Sequence, residues 1–285
     1  MLSKLSIGSA QFGMKYGLNN CEGEVNQSEV NHILDLAIKS GITSIDTARA
    51  YGNSEKKLGN YLQNSKGQWD VITKISDLNI SIENQIIDST NNLGQKPTTV
   101  LAHSYDLWVN DIFQDQINEI KEKNSIEKIG LSLYHNEEIE EVLKNFKNVD
   151  VIQLPINILD TRLIKNGIIK RIYENGIEIH ARSIFLQGMF FLSQEEIKKK
   201  FDDVYEAINF LKKIIKDQNI NLAEYSLLFV LNLRYISKVI IGIDSKMQLK
   251  ENIFTINKTI DPEIFKTALS LNYDNEYILN PSKWL

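Results

Sequence analysis

The chain has 285 residues, of which 42% are hydrophobic and 24% are charged, proportions that are ordinary for a soluble globular protein. This composition excludes a disordered chain, a collagen-like chain and a coiled coil. The 32 basic and 37 acidic residues give a net charge of −5. Such mild acidity gives no electrostatic reason to expect binding to nucleic acid or to an anionic membrane.

Short β-branched runs alternate with segments of helical periodicity along the first half of the chain. Apolar residues recur at positions 30, 33, 34, 37 and 38, which predicts a helix that stops before Gly41. Ser54 is the expected N-cap of the next helix. The predicted strands of this half are 4–10, 43–46, 70–73 and 98–102, and the predicted helices are 30–39, 54–62, 82–93 and 112–123.

The second half of the chain repeats the same alternation. Its predicted strands are 128–132, 150–153, 177–181 and 238–241, and its predicted helices are 137–146, 161–175, 194–216, 222–232 and 247–256. Helices that connect successive strands imply parallel pairing. We therefore predict an (α/β)8 TIM barrel, a single α/β domain over 1–285 with a C-terminal tail over the barrel mouth. A doubly wound open sheet is the alternative, because the pattern does not show whether the sheet closes.

A single cysteine, Cys21, excludes an intrachain disulfide and is typical of an intracellular protein. The N-terminal residues lack the pattern of a signal peptide, and no apolar run approaches the roughly 18 residues of a membrane helix. The 4 histidines are not closely spaced with other metal ligands. We expect a cytoplasmic protein that binds no metal, membrane or nucleic acid, and the oligomeric state stays open.

Four titratable residues follow consecutive predicted strands: Asp46, Tyr51, Lys74 and His103. Catalytic groups of parallel barrels gather at the C-terminal ends of the strands. An ammonium near a phenol stabilises the phenolate and lowers its pKa, so Lys74, held charged by Asp46, is expected to make Tyr51 a proton donor. Each residue alone has a structural explanation as a cap, a solvated charge or a packing group, whereas their shared location favours catalysis.

The segment from Asp46 to Glu55, DTARAYGNSE, resembles the Asp-Thr-Ala-x-x-Tyr-Gly-x-Ser-Glu signature of the aldo-keto reductases. Lys74 in ITK and His103 in LAH match the lysine and histidine of that family. The resemblance covers nearly the whole chain and implies a TIM barrel, a nicotinamide cofactor and hydride transfer to a carbonyl. It implies that Tyr51 is the general acid, that Lys74 and Asp46 tune it, and that His103 orients the carbonyl.

The resemblance also implies residues that contact the nicotinamide end of the cofactor. Ser132 and Gln153 are expected to hydrogen-bond the carboxamide, although Leu133 replaces an asparagine that is frequent in the family. Arg182 occupies the position where many members stack an aromatic ring on the nicotinamide. The loop that follows is expected to bind the pyrophosphate through its backbone amides and contains Ser183, Leu186 and Gly188.

The start of the last predicted helix resembles the adenosine-phosphate site of the family. The lysine and arginine with which some members bind the 2′-phosphate correspond here to Gly242 and Gln248. Ser245 and Lys246 could replace them, since hydroxyl and ammonium groups both bind phosphate, while Gln248 and Asn252 would face the adenine. The family majority predicts NADP(H), and these substitutions leave NAD(H) open. An ordinary helix N-terminus is the structural alternative.

The substrate is expected to be a small-molecule carbonyl, bound by loops above the barrel. Aromatic residues in these loops are the candidate contacts: Phe12, Tyr16, Tyr105 and Trp108. Aromatic walls bind sugars as well as apolar carbonyls, so they do not decide the substrate. The segments 9–17, SAQFGMKYG, and 280–284, NPSKW, look like a bacterial branch of the family that we associate with sugar and surface-polysaccharide metabolism.

Three functions remain after the sequence analysis. The first is an NAD(P)H-dependent carbonyl reductase. The second is a barrel aldolase that forms a Schiff base through Lys74, which the adjacent Asp46 disfavours because it keeps the lysine charged. The third is a non-catalytic NADP(H)-binding subunit of the same family. No Gly-x-Gly-x-x-Gly, P-loop or Gly-x-Ser-x-Gly motif supports another nucleotide-binding or hydrolase fold.

Overall fold

The computed structural model describes residues 1–123 and 125–284. Eight parallel strands close into a barrel, and each strand pairs with the strands that precede and follow it in the chain. The strands are β1 (Leu5–Gly8), β2 (Ser44–Asp46), β3 (Asp70–Ile75), β4 (Thr99–Ala102), β5 (Lys128–Ser132), β6 (Val151–Pro155), β7 (Glu178–Arg182) and β8 (Lys238–Gly242). β8 closes the barrel on β1, with Leu5 opposite Val239 and Gly8 opposite Gly242. The predicted TIM barrel is confirmed, and the open sheet is excluded.

Helices surround the barrel and connect its strands. They are α1 (Ala10–Gly13), α2 (Gln27–Lys39), α3 (Ser54–Leu62), α4 (Ile82–Leu93), α5 (Tyr105–Trp108), α6 (Asp111–Glu122), α7 (Asn136–Asn145), α8 (Arg162–Lys165), α9 (Ile168–Glu174), α10 (Gln194–Lys200), α11 (Tyr205–Ile214), α12 (Leu222–Asn232), α13 (Lys246–Ile256), α14 (Glu263–Ser270) and α15 (Glu276–Leu279). Within the described residues, none is long and apolar enough to cross a lipid bilayer.

The helix α2 shows why these segments are helical. The Asn26 side chain caps its N-terminus by accepting a hydrogen bond from the Glu29 amide, which satisfies one of the free amides of the first turn. Its apolar residues form a single stripe that is buried against the barrel: Val30, Ile33, Leu34 and Ala37. The amphipathic pattern therefore fixes which face of α2 packs inward.

Two predicted helices are broken in the structure. The predicted helix 161–175 is divided into α8 and α9 because Gly167 adopts a φ of 70°, a left-handed conformation that interrupts the helical hydrogen bonds. The predicted helix 194–216 ends at Lys200 and resumes at Tyr205, since Phe201 takes a φ of −144°. The predictions of single continuous helices in these two places were wrong.

An apolar layer closes the interior of the barrel below its mouth. Ile72, Leu101 and Val151 form a separate buried cluster. Each lies two residues before a candidate site residue, namely Lys74, His103 and Gln153. Because side chains alternate along a strand, residues two apart point to the same side. The candidate polar groups therefore lie above this layer, at the C-terminal end of the barrel.

The C-terminal tail lies on loops that follow β5, β6 and β7. The ammonium of Lys165 donates to the carbonyl of Leu271 at 2.5 Å, and His135 lies 3.6 Å from the carboxylate of Glu276. Trp284 packs on Phe201 with ring centroids 4.8 Å apart. All three loops lie on the C-terminal side of the barrel, so the tail borders the side on which the candidate site lies.

Candidate active site

A buried ion pair joins the ends of β2 and β3. The ammonium of Lys74 lies 2.5 Å from Asp46 Oδ1 and donates a second hydrogen bond to the carbonyl of Thr47 at 2.9 Å. Lys74 is 1% exposed and Asp46 is 3% exposed. Gln153 donates to the other carboxylate oxygen of Asp46 at 2.8 Å. Both oxygens of Asp46 thus have partners, as a charge inside a protein requires.

Tyr51 lies over this ion pair and beside His103. The ammonium of Lys74 is 5.3 Å from the centroid of the Tyr51 ring. The rings of Tyr51 and His103 meet edge to face, with centroids 5.9 Å apart and an angle of 80° between their planes. The structure therefore brings the four sequence-predicted residues of the tetrad together at one end of the barrel.

Two glycines allow the loop that carries Tyr51 to approach the loop after β1. A Cβ atom at Gly13 would lie 1.8 Å from the carbonyl oxygen of Tyr51 and 2.4 Å from the amide of Ser54. Gly52 adopts a φ of 53°, and its Cβ would lie 2.2 Å from the carbonyl oxygen of Gly13. Only glycine fits such a close approach of two backbones, so this contact sets the position of Tyr51.

A hydroxyl network anchors the same loop, and the sequence analysis did not predict it. Ser54 was the expected N-cap of α3, but the structure places Asn53 there. The Ser54 hydroxyl instead donates to the carbonyl of Ser9 at 2.9 Å and lies 3.1 Å from the hydroxyl of Thr47. The next residue, Glu55, is also buried and accepts a hydrogen bond from Thr73 at 2.7 Å. The Ser-Glu end of the signature therefore holds the loop.

The pKa of Tyr51 shifts in the direction opposite to the one expected from the sequence. Burial, followed by the Asp46 carboxylate, raises the pKa of Tyr51 above its usual value, whereas we expected Lys74 to lower it. Burial lowers the pKa of Lys74, and Asp46 opposes this effect. Burial and the ammonium of Lys74 lower the pKa of His103 to about 4. At neutral pH, Tyr51 is therefore protonated and can donate a proton, while His103 is neutral.

Arg182 links the ends of β5 and β7 at the barrel mouth. Its guanidinium donates to the Ser132 hydroxyl at 3.1 Å, to the carbonyl of Leu133 at 3.2 Å and to the Ser183 hydroxyl at 3.3 Å. It lies 3.9 Å above the centroid of the Tyr134 ring, a cation–π contact. Sequence analysis did not select Tyr134, because no motif marks this position.

The loop after β7 has a strained backbone. Ser183, Leu186 and Gln187 all have φ values between 47° and 57°, which side chains other than glycine adopt only at a cost. Asn157 and Ser226 hold the loop by donating to the carbonyls of Ser183 and Ile184. Such strain gathers at ligand sites, which fits a loop that binds phosphate. Leu186 has no exposed surface, and its side chain packs in the hydrophobic core.

The loop after β1 lies against the loop after β7. Gln187 donates to the Tyr16 hydroxyl at 3.1 Å and accepts from the amide of Leu18 at 2.9 Å. Asn19 donates to the carbonyl of Gly188 at 2.8 Å. Burial is the main cause that raises the pKa of Tyr16 to about 12, with Tyr51 contributing. Tyr16 therefore belongs to the mouth around the tetrad.

The N-terminus of α13 contains the residues expected at the adenosine phosphate. The Ser245 hydroxyl accepts from the amide of Gln248, so it acts as the N-cap. The Gln248 side chain folds back onto Asp244, accepting from its amide at 2.8 Å. Lys246 is exposed and Asn252 is half-buried. At Gly242, a Cβ would lie 2.5 Å from the Gln11 side chain, so a longer side chain here would displace Gln11.

Two of the four expected substrate contacts lie in the hydrophobic core instead. Phe12 and Trp108 have no exposed surface, and Trp108 packs on Phe113 and Phe146 with ring centroids 5.8 and 5.9 Å away. Neither lines an open mouth, because apolar burial favours aromatic side chains in the core. Tyr105 is half-buried beside Glu141 of α7. Tyr16, in contrast, is exposed and lies close to Tyr51.

The comparisons with known proteins agree with this fold. The sequence profile of the aldo/keto reductase family matches residues 4–272, and no curated protein sequence matches the chain significantly. The holo form of the aldo-keto reductase AKR11C1 from Bacillus halodurans has a TM-score of 0.77 at 19% identity, covering 96% of this chain and 95% of that chain. The glycerol dehydrogenase AKR11B4 from Gluconobacter oxydans has a TM-score of 0.71 at 16% identity, covering 94% and 90%.

A further structure, the putative aldo-keto reductase PA4992 from Pseudomonas aeruginosa, has a TM-score of 0.65 at 20% identity and covers 89% of both chains. At such low identity, these similarities establish the fold alone. The profile match is the finding that identifies the family, since residues 4–272 are most of the 285. The chain belongs to the aldo/keto reductase family and is a nicotinamide-dependent oxidoreductase.

Proposed function

We propose that this protein reduces an aldehyde or ketone to an alcohol, with Tyr51 as the proton donor. The observation that carries the proposal is a half-buried phenol held between the Lys74–Asp46 ion pair and the His103 ring. A general acid must keep its proton until the reaction needs it, and the raised pKa of Tyr51 ensures this at neutral pH.

The roles of the four residues follow from their positions. A bound nicotinamide would supply the hydride that converts the carbonyl carbon into an alkoxide carbon. Tyr51 then gives its phenolic proton to the alkoxide oxygen, which leaves a phenolate. The ammonium of Lys74, 5.3 Å from the ring centroid, stabilises that phenolate, and Asp46 keeps Lys74 in place. Neutral His103 can donate a hydrogen bond to the substrate oxygen and thereby orient it.

The cofactor would lie across the ends of β5 to β8. Ser132, Gln153 and Arg182 are adjacent at the ends of β5, β6 and β7 and would bind or stack on the nicotinamide. The backbone of Ser183–Gly188 would bind the pyrophosphate, as its strained conformation suggests. The N-terminus of α13 would receive the adenosine end.

A hydroxylated, sugar-derived carbonyl is the substrate class that we propose. Tyr16, Tyr134 and Arg182 border the tetrad and offer donors and aromatic faces, a combination that suits polyols. The name of the related glycerol dehydrogenase from Gluconobacter oxydans points to the same class. A Schiff base on Lys74 is disfavoured, because its ammonium is bonded to Asp46 and Thr47.

The test is the substitution Tyr51→Phe in the purified enzyme. We expect kcat to fall by about 10²–10⁴-fold, while the Kd of the nicotinamide cofactor changes little. Tyr61→Phe, which removes a phenol bonded to Asp35 on the outer helices, is the matched control and should keep its activity. A wild-type protein that binds no nicotinamide cofactor or reduces none of a broad panel of aldehydes, ketones and sugars would contradict the proposal.

A further inference from the structure

A carboxylate from another helix occupies the N-terminus of α13. Glu29, in the first turn of α2, accepts a hydrogen bond from the backbone amide of Lys246 at 2.6 Å. Its second carboxylate oxygen lies 3.5 Å from the His32 ring. Glu29 and Lys246 are 217 residues apart in the sequence, so this contact arises only in the folded chain. The helix terminus that would attract a phosphate already interacts with an anion.

A second carboxylate lies one residue before the cap of α13. Asp244 accepts a weak hydrogen bond at Oδ2 from Gln248 at 3.4 Å. Its other oxygen, Oδ1, is buried and has no hydrogen-bond partner within residues 1–123 and 125–284. Burial and the nearby carboxylate of Glu22 raise the pKa of Asp244. Asp244 therefore adds a second carboxylate at this helix terminus, which disfavours the binding of an anion there.

The side chains that could bind a 2′-phosphate either form hydrogen bonds within the protein or are exposed to solvent. The Ser245 hydroxyl accepts from the amide of Gln248, and the Gln248 side chain is folded onto Asp244. Lys246 is exposed, and the carboxylates of Glu29 and Asp244 lie at the same helix terminus. The residues present at this helix terminus do not fit a dianionic phosphate.

We infer that Glu29 and Asp244 make this enzyme specific for NAD(H), excluding NADP(H) by repelling its 2′-phosphate and offering acceptors to the free ribose hydroxyls. The inference rests on the proposed function, since it assigns the adenosine end of the cofactor to α13. A carboxylate that accepts from ribose hydroxyls is a general way to select NAD. It replaces the preference for NADP(H) that the family majority predicted.

Direct binding measurements test the inference. NADH and NADPH are titrated into the purified protein by calorimetry at low and at high ionic strength. We expect the Kd of NADPH to exceed that of NADH by at least about tenfold at low salt. Because salt screens repulsion between exposed charges, the ratio should shrink at high salt. A ratio that stays constant or grows with salt would contradict a repulsive origin.

Two variants assign the effect to these residues. Glu29→Gln and Asp244→Asn each remove one negative charge from this helix terminus, and each should lower the ratio of the NADPH Kd to the NADH Kd by about 3–10-fold. Glu140→Gln, on α7 and paired with Arg171, changes the net charge equally at a remote site and should not alter the NADPH-to-NADH ratio. Thermal unfolding without cofactor shows whether a variant is folded.

The outcomes separate this inference from the proposed function. Tight binding of NADH with the expected response of both variants supports it. Equal or tighter binding of NADPH by the wild type, or variants that leave the ratio unchanged, overturn the inference while leaving the reductase proposal standing. Binding of neither cofactor overturns both.

Discussion

At the residue scale, the protonation states of the active-site residues depend on burial more than on the charges of their neighbours. Asp46 holds Lys74, but it also lies close enough to raise the pKa of Tyr51, and burial acts in the same direction. Sequence reasoning considered only the attraction between the ammonium and the phenolate. A sequence signature identifies which groups lie together. The direction in which each pKa shifts also depends on how far the surrounding loops exclude solvent from the group.

His103 makes folding stability dependent on pH. Its pKa is about 4 in the folded chain, against a usual 6.5, so the unfolded chain binds the proton more strongly between these values. Stability is therefore lost as the pH falls from 6.5 towards 4. From pH 7 to 4.5, this residue alone accounts for at most about 2.5 kcal/mol of that loss.

The substitution His103→Asn removes this titration. Urea unfolding at pH 7 and pH 4.5 should show a smaller acid-induced loss of stability in the variant than in the wild type. His32→Asn is the control, because His32 is an exposed residue near Glu29 and lies outside the tetrad. An equal acid-induced loss in the wild type and in His103→Asn would contradict the depressed pKa of His103.

At the element scale, the close approach of Gly13 to the loop of Tyr51 connects α1 to the catalytic group. Gly13→Ala places a Cβ 1.8 Å from the Tyr51 carbonyl oxygen, so one of the two backbones must move. We expect kcat/KM to fall by at least about tenfold, since catalysis tolerates little displacement of the reacting groups. Steady-state kinetics on the best substrate of the panel measures this loss.

Gly67→Ala is the matched control for that substitution. Its Cβ would meet the flexible end of Ile38 at 2.8 Å and the Ser65 hydroxyl at 3.5 Å, in the loop before β3, at the opposite end of that strand from Lys74. This variant should retain wild-type kcat/KM with a small loss of stability. Full activity in Gly13→Ala would show that the contact between the two loops does not position Tyr51.

The element predictions succeeded where a strong local signal existed. The helices α3, α4 and α12 were predicted with their observed boundaries, because polar residues flank each helical segment. The break at Gly167 carries a visible signal, a glycine within a helical pattern. The break at Phe201 has none, since only tertiary packing determines the non-helical backbone there. Strand ends also shifted by one or two residues for this reason.

At the scale of the whole molecule, the sequence predicted the barrel and the tetrad but not the contacts between distant segments. Strand order and parallel pairing place Asp46, Lys74 and His103 at one end, and this follows from the alternation of elements. The contact of Glu29 with Lys246 carries no local pattern. For the same reason, Trp108 could not be distinguished as a core residue from a loop aromatic at the mouth.

The tail offers the last test, because Trp284 either anchors the tail or closes over the substrate. Its ring packs on Phe201 at 4.8 Å, and its indole N–H donates to the carbonyl of Tyr277 at 2.7 Å. These contacts indicate an anchor. We expect Trp284→Ala to lower the free energy of unfolding by about 2 kcal/mol and to leave KM unchanged within about twofold.

Trp284→Phe separates the two contributions of this side chain. It keeps an aromatic ring against Phe201 and loses the hydrogen bond to Tyr277, so it should lose about 1 kcal/mol, roughly half of the loss in Trp284→Ala. Denaturant unfolding gives both values, and substrate titration gives KM. A several-fold rise in KM in both variants, with unfolding free energies equal to that of the wild type, would assign Trp284 to the substrate site instead.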